Sequence, residues 1–175
     1  NKKDTVVFDL DGTLLDTLED LKNSVNYAMT QCGYPEHTLD EVRRYVGNGI
    51  LLLMQRAIPG GKDDPNFDKA FTLFKEHYGK HCNDTTKPYA GIMELLHTLK
   101  ENNIKIAIVS NKADFAVKEL NAIYFKDLIL VAIGEKESEG IRKKPAPDTV
   151  IEALKQLGST AENSVYIGDS DVDIE

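Results

Sequence analysis

Tryptophan is absent from the 175 residues and cysteine occurs twice, as Cys32 and Cys82. Two cysteines, each on the apolar stripe of a predicted helix, do not make the disulfide framework of a small secreted domain. They read as small buried hydrophobes in a reducing compartment. Long hydrophobic runs are missing as well. No stretch approaches the roughly 20 apolar residues that a bilayer-spanning helix needs, and the first residues carry no signal-peptide pattern. We therefore expect a cytoplasmic protein without a membrane partner. Positive charge is scarce: the formal net charge is −8 and the isoelectric point is near 5.0. The densest cationic patch, Arg142-Lys143-Lys144, is too short to track a phosphate backbone, so nucleic acid is not an expected partner. The length suffices for one well-filled core, or for a core carrying a smaller insertion.

Two carboxylates dominate what is present. Thr5-Val6-Val7-Phe8 runs into Asp9-Leu10-Asp11-Gly12-Thr13-Leu14. Residues i and i+2 of a strand project to the same side, so Asp9 and Asp11 face one small volume where the chain leaves the sheet. Two negative charges that close repel, and a cation or a shared proton must hold them. The alternative is a polar start to a turn, with Asp11-Gly12 as its turn chemistry.

After Leu14 the period of two gives way to a helical one. Leu18, Leu21, Val25, Ala28, Met29 and Cys32 share a face, with Thr17 and Asp20 as a capping-box variant and Gly33 as a stop. Thr38 and Glu41 form a second capping box, opening a short helix that ends at Gly47-Asn48-Gly49. Ile50 to Ala57 is the next helix, stopped by Pro59-Gly60-Gly61, and an aromatic-striped helix follows from Asn66 to Cys82. His77 and His81, beside Cys82, have metal-ligand spacing. The stripe Phe67, Phe71, Phe74, Tyr78 and Cys82 explains the same segment as core packing. From Lys87 onward strands and helices alternate. Helices are expected over 92–102, 113–124 and 148–157, and strands over 104–109, 128–133 and 165–167. The chain is thus an α/β protein, with a Rossmann-like parallel sheet whose first strand is separated from its sisters by an all-helical insertion. We place the core at 1–15 and 86–175 and the inserted cap domain at 16–85.

In an open parallel sheet the ligand lies outside the carboxyl ends of the strands. Those ends carry Asp9 and Asp11, then Ser110-Asn111, then Gly168-Asp169-Ser170-Asp171-Val172-Asp173, with the basic loop Lys143-Lys144-Pro145 nearby in sequence. Acids for a divalent cation, a hydroxyl with exposed amides and a lysine are what a phosphate with Mg²⁺ requires. Each has a plainer reading. Ser110 can cap the next helix, Lys144 can belong to a solvated basic face, and Asp171 and Asp173 can be favourable charges at a helix N-terminus.

Taken in order, Asp9-Leu10-Asp11-Gly12-Thr13, Ser110 after an apolar strand, Lys144 before Pro145, and Gly168-Asp169 with Asp173 resemble the motifs of the haloacid dehalogenase superfamily, specifically its phosphatases. The resemblance covers nearly the whole chain. It implies that Asp9 is the nucleophile, that Asp11 gives and takes the proton, and that Ser110 holds the transferring phosphoryl group with Gly12, Thr13 and Asn111. It further implies that Lys144 offsets the phosphoryl charge, and that Asp9, the main-chain oxygen of Asp11 and Asp169 bind Mg²⁺, supported by Asp173. An aspartate at position 11 points to a phosphatase or phosphomutase, because dehalogenases lack that acid. The family's core continues beyond the point where Glu175 stands, so the core is expected to be incomplete at that end.

Within the superfamily, Pro88-Tyr89-Ala90-Gly91, Ser110-Asn111-Lys112 and Tyr45-Val46-Gly47-Asn48-Gly49 look like the phosphoglycolate phosphatase group. Gly47, Asn48 and Gly49 give a backbone able to approach an anion at a helix N-terminus, or else a plain interhelical turn. The expected function is Mg²⁺-dependent hydrolysis of a small phosphate ester, foremost 2-phosphoglycolate, by a monomer or weak homodimer. A β-phosphoglucomutase relative, a pyrophosphatase and a non-catalytic descendant are the alternatives. The apolar Ile50 to Leu53 count against the mutase, although Arg43, Arg44 and Arg56 are nearby.

Overall fold

A computed structural model describes residues 2–144 and 146–168 of the chain. In chain order the elements are β1 (Thr5–Phe8), β2 (Leu15–Asp16), α1 (Leu18–Gln31), α2 (Leu39–Tyr45), α3 (Ile50–Ala57), α4 (Phe67–His81), β3 (Lys87–Pro88), α5 (Ile92–Glu101), β4 (Lys105–Ala113), α6 (Asp114–Tyr124), β5 (Val131–Glu135), α7 (Asp148–Leu157) and β6 (Ser164–Ile167). They divide into two compact units, residues 1–15 with 88–175 and residues 16–87. Among the described residues no helix is long and apolar enough to cross a membrane.

The first unit is α/β. Strands β5, β4, β1 and β6 form one parallel sheet in that order, while β2 and β3 form a separate two-stranded sheet. Parallel sheets are buried on both faces, and the alternation of side chains shows it here. Val7, Ala107, Val109, Val131 and Ile133 pack with Ala153 and Leu154 of α7. Phe8, Ile106, Ile108 and Ala132 point the other way, against Leu96 of α5 and Val117 and Leu120 of α6. Phe8 stands opposite Ile108 on one side and Ile167 on the other. Strands that follow β1 in sequence thus flank it on both sides, which is the switch point where open α/β sheets bind ligands.

Two strand boundaries differ from the sequence expectation. Strand β4 runs on to Ala113 through a shift of register between Val109 and Ala113, because the polar Ser110-Asn111 interrupts the apolar pattern but not the extended backbone. Strand β5 starts at Val131 rather than 128. Leu128 and Ile129 are buried, yet their N–H groups donate to the Phe125 carbonyl in a turn leaving α6. Apolar character there reports burial in a turn, not strand.

The second unit is helical and has its own core, centred on Val25, Met29, Val42, Met54, Ala70 and Phe74. The capping box at α2 forms as expected: Glu41 N–H donates to Thr38 Oγ1 at 3.2 Å, and Thr38 N–H donates to Glu41 Oε1 at 3.0 Å. The box expected at Thr17 and Asp20 does not form, since Thr17 makes no side-chain cap bond. Asp20, 1% exposed, instead accepts from the N–H and hydroxyl groups of both Thr85 and Thr86 at 2.7–3.1 Å. A buried carboxylate needs several donors, and two consecutive threonines supply more than a helix N-terminus would. The carboxylate thereby ties the start of α1 to the end of the unit. Asp20→Ala leaves those donors without their acceptor, so it should lower the unfolding free energy by about 3 kcal/mol, read from urea denaturation; a change below about 0.5 kcal/mol would show that the clasp is dispensable.

Candidate active site

Asp9 follows β1 directly. Its N–H donates to the Ile167 carbonyl at 3.0 Å, which fixes it at the carboxyl edge of the sheet, and its carboxylate oxygen Oδ1 accepts from the Leu10 N–H at 2.8 Å. The residue is 9% exposed. Beyond it the chain makes a tight turn. Gly12 has a φ of 78°, a value that a side chain would strain, and the N–H groups of Thr13, Leu14 and Leu15 converge on the Leu10 carbonyl. That turn brings Asp11 back beside the strand end.

Each acid has its own lysine. Lys144 Nζ lies 3.4 Å from Asp9 Oδ1, with its side chain 1% exposed. Lys112 Nζ lies 3.4 Å from Asp11 Oδ1, with its side chain 7% exposed. Lysines are almost never this buried unless paired. The Lys144 ammonium also donates to the Tyr166 hydroxyl and sits 5.1 Å from the centre of that ring. Asn111 holds the backbone of the lysine: its Nδ2 donates to the Lys144 carbonyl at 3.1 Å, and its Oδ1 accepts from the Lys144 N–H at 2.9 Å. Ser110 is buried, and its hydroxyl accepts from the Lys112 N–H at 3.1 Å. It therefore shapes the loop after β4, and α6 has no side-chain cap from it.

The structure brings together Asp9, Asp11, Gly12, Thr13, Ser110, Asn111 and Lys144 in the α/β unit. Gly12 already donates its N–H to the Leu15 carbonyl at 3.0 Å. Gly47, Asn48 and Gly49 belong to the helical unit, where all three have positive φ (135°, 63° and 95°). Arg56 donates to the carbonyls of Tyr45 at 2.8 Å and Gly47 at 3.3 Å, fixing that turn from behind. Asp169, Asp171, Asp173 and Pro145 lie outside the described residues. Two participants were not singled out from sequence. Lys112 stands in the sequence only as the third residue of Ser110-Asn111-Lys112, and Tyr166 only as one residue of an apolar strand; nothing there shows that Lys112 meets Asp11 or that the Tyr166 hydroxyl meets Lys144.

The donors present are carboxylate and main-chain oxygens, which fit a hard divalent cation such as Mg²⁺. Asp11 Oδ1 and Thr13 Oγ1 are buried without a hydrogen-bond partner among the described residues, as expected of groups that await a ligand. Among those residues no cluster of three or more His, Cys, Asp or Glu is placed to hold a metal; the third expected ligand, Asp169, is outside them. His77 bonds Ser24 at 2.7 Å and stacks on Tyr27 and His81, in keeping with the packing reading of that stripe.

Two lysine-paired acids thus lie past the end of β1 in a parallel sheet. Residues 6–175 match the family of haloacid dehalogenase-like hydrolases, to which the chain belongs. It is 33% identical over 174 residues to a protein of Aquifex aeolicus named phosphoglycolate phosphatase, covering 97% of this chain and 78% of that one. A protein of the same name from Pseudomonas putida is 31% identical, but the chain spans only 64% of its length. A crystal structure of a protein from Lactobacillus delbrueckii subsp. bulgaricus superposes with a TM-score of 0.89 at 34% identity, covering 99% of this chain and 81% of that one. The family and the α/β class expected from the motifs are borne out.

The loop carrying Lys112 is anchored through Asp114 at the start of α6. Burial pushes the Asp114 carboxyl up, but the Gly134 N–H, Lys118 and Lys136 more than offset it, leaving its pKa below the ordinary 3.8. Such a group contributes stability above its unfolded pKa and loses it as the pH falls through the lower folded value. Asp114→Asn should cost about 1 kcal/mol at neutral pH and nothing once the carboxyl is protonated in both states. Urea titrations from neutral to acid pH check this; a cost that stays constant with pH would contradict it.

Proposed function

We propose that the chain is a Mg²⁺-dependent phosphatase that hydrolyses a small phosphorylated metabolite, 2-phosphoglycolate above others, through an aspartyl-phosphate intermediate. The observation that carries this reading is the pairing of Asp9 with Lys144 and of Asp11 with Lys112 at the end of the central strand. The names of the relatives from Aquifex aeolicus and Pseudomonas putida support the choice of ester.

On this reading an Asp9 carboxylate oxygen attacks phosphorus in line, forming an O–P bond as the ester P–O bond breaks. Asp11 gives its proton to the departing ester oxygen. A water then attacks the same phosphorus and yields a proton to Asp11, and the Asp9–phosphorus bond breaks to return both carboxyl groups to their starting state. Lys144, held by Asn111 and Tyr166, offsets charge on the phosphoryl oxygens, the Ser110 and Thr13 hydroxyls are assigned to those oxygens, and Gly12, whose amide is bonded to Leu15, serves by the turn it allows. Asp9, the main-chain oxygen of Asp11 and Asp169 would hold Mg²⁺, with Asp173 supporting them, and the ion would supply charge neutralisation that lets an anionic carboxylate approach an anionic phosphate. Gly47, Asn48 and Gly49 are assigned to substrate recognition in the helical cap. The enzyme is then cytoplasmic, a monomer or weak homodimer, with no role in nucleic-acid binding.

Asp9→Asn keeps the shape of the side chain and removes its nucleophilic charge. Turnover of 2-phosphoglycolate and of p-nitrophenyl phosphate should both fall by at least about 10³-fold, measured as phosphate released in the presence of Mg²⁺ by protein with an unchanged circular dichroism spectrum. Retention of near wild-type turnover would overturn the assignment of Asp9.

A further inference from the structure

Three rings of the helical unit stand in one column that joins its two longest helices, α1 and α4. His77 of α4 lies between two neighbours. Tyr27 of α1 stacks on one face, with ring centroids 4.5 Å apart and planes inclined by 21°, and His81 of α4 stacks on the other, at 4.4 Å and 29°. His77 Nδ1 also lies 2.7 Å from the Ser24 hydroxyl of α1. His81 follows His77 by one helical turn, which is why the two imidazoles meet, and its own Nδ1 is 2.7 Å from Asp84 Oδ2. A proton on His81 therefore has a carboxylate beside it. Among the described residues no carboxylate forms an ion pair with His77.

We infer that this column is an acid-sensitive latch: a proton taken up by His77 sets two imidazoles of like charge face to face and loosens the packing of α1 on α4. The neutral ring suits the site. It is half-buried, offers a flat face to each neighbour, and meets the Ser24 hydroxyl as donor or acceptor according to its tautomer. A cation in the same place gives up water and faces a second imidazole. The surrounding charges do not make up for this. Lys22 of α1 and Lys80 of α4 line the same surface as Glu36 and Glu76, so the two signs are balanced, and Asp84 is engaged with His81. The face of Tyr27 attracts a cation only weakly, because that residue is exposed. Burial and the neighbouring His81 accordingly hold the His77 pKa below its ordinary 6.5, against the opposing pull of Asp84. An opened or unfolded helical unit then binds the proton more readily than the closed column does. The latch holds above pH 6.5 and weakens as the pH falls below that value. It belongs to the packing of the helical unit and stands whether or not the assigned chemistry holds.

Amide hydrogen exchange on the whole chain tests the latch, read as protection factors so that the intrinsic pH dependence of exchange cancels. Between about pH 7.5 and about pH 5.5, protection in α1 and α4 should fall at least about threefold more than protection in α5 and α6 of the other unit. His77→Phe keeps a ring in the column and removes the titration, whereas His77→Gln keeps a polar group and removes both charge and stack. The excess loss should disappear in each variant that circular dichroism shows to be folded at neutral pH. A measurement on the wild type needs no variant: the His77 ring protons, followed by NMR, should titrate below pH 6.5. Protection in wild-type α1 and α4 that is no more acid-sensitive than in α5 and α6 would overturn the latch. So would an excess loss that persists without His77, which would move the sensitivity to another group such as His37, or a His77 ring that titrates at or above its ordinary value.

Discussion

Charge pairing of Asp9 with Lys144 and of Asp11 with Lys112 is the constraint around which the polar part of the α/β unit is arranged. Both carboxylates lie just past the end of one buried strand, with 12% of the Asp9 side chain and 23% of the Asp11 side chain exposed. Two lysines from separate segments answer that charge, Lys144 against Asp9 and Lys112 against Asp11. Lysines this buried need a partner, and the acids supply one to each. Much of the surrounding polar structure follows from keeping the two cations in place: Asn111 on the Lys144 backbone, Tyr166 on its ammonium, Ser110 and Gly134 about the Lys112 loop.

The sheet supplies the frame for this pairing. Register places Phe8 between Ile108 and Ile167, so residues just past the three strands meet at one edge although they come from distant parts of the chain. Two apolar layers, one under α5 and α6 and one under α7, hold that register, since a slip by one residue would turn every side chain to the opposite face. The helical unit depends on none of this for its own packing. Its core is separate, and its two ends are clasped by Asp20 with Thr85 and Thr86.

The parts of this arrangement that sequence made legible are those with a local signal. Alternation and helical period identified the α/β pattern and the helical block. The order of Asp9, Asp11, Ser110 and Lys144 resembled a family that the comparisons then bore out. What sequence did not show are long-range partners. Asp20 has the spacing of a capping residue, yet its donors are 65 and 66 residues away. Asn111 reads as a residue facing substrate, but its amide is bonded to Lys144 from 33 residues off. Lys112 reads only as the residue after Ser110-Asn111, and Tyr166 as an ordinary strand residue, until the fold sets Lys112 against Asp11 and Tyr166 against Lys144. Leu128 and Ile129 have the sequence pattern of a strand because burial in a turn and burial in a sheet leave the same apolar signature.

The central claim is that Asp9 becomes covalently bonded to phosphorus during turnover. Rapid acid quench of Mg²⁺-supplemented protein with 2-phosphoglycolate or p-nitrophenyl phosphate, followed by borohydride reduction and mass spectrometry of the resulting peptides, reads this directly. Reduction should convert residue 9 alone from aspartate to homoserine, in an amount that matches the first-turnover release of the alcohol product. Reduction at a different residue, or alcohol release with no reducible acyl phosphate at any time, would contradict the account.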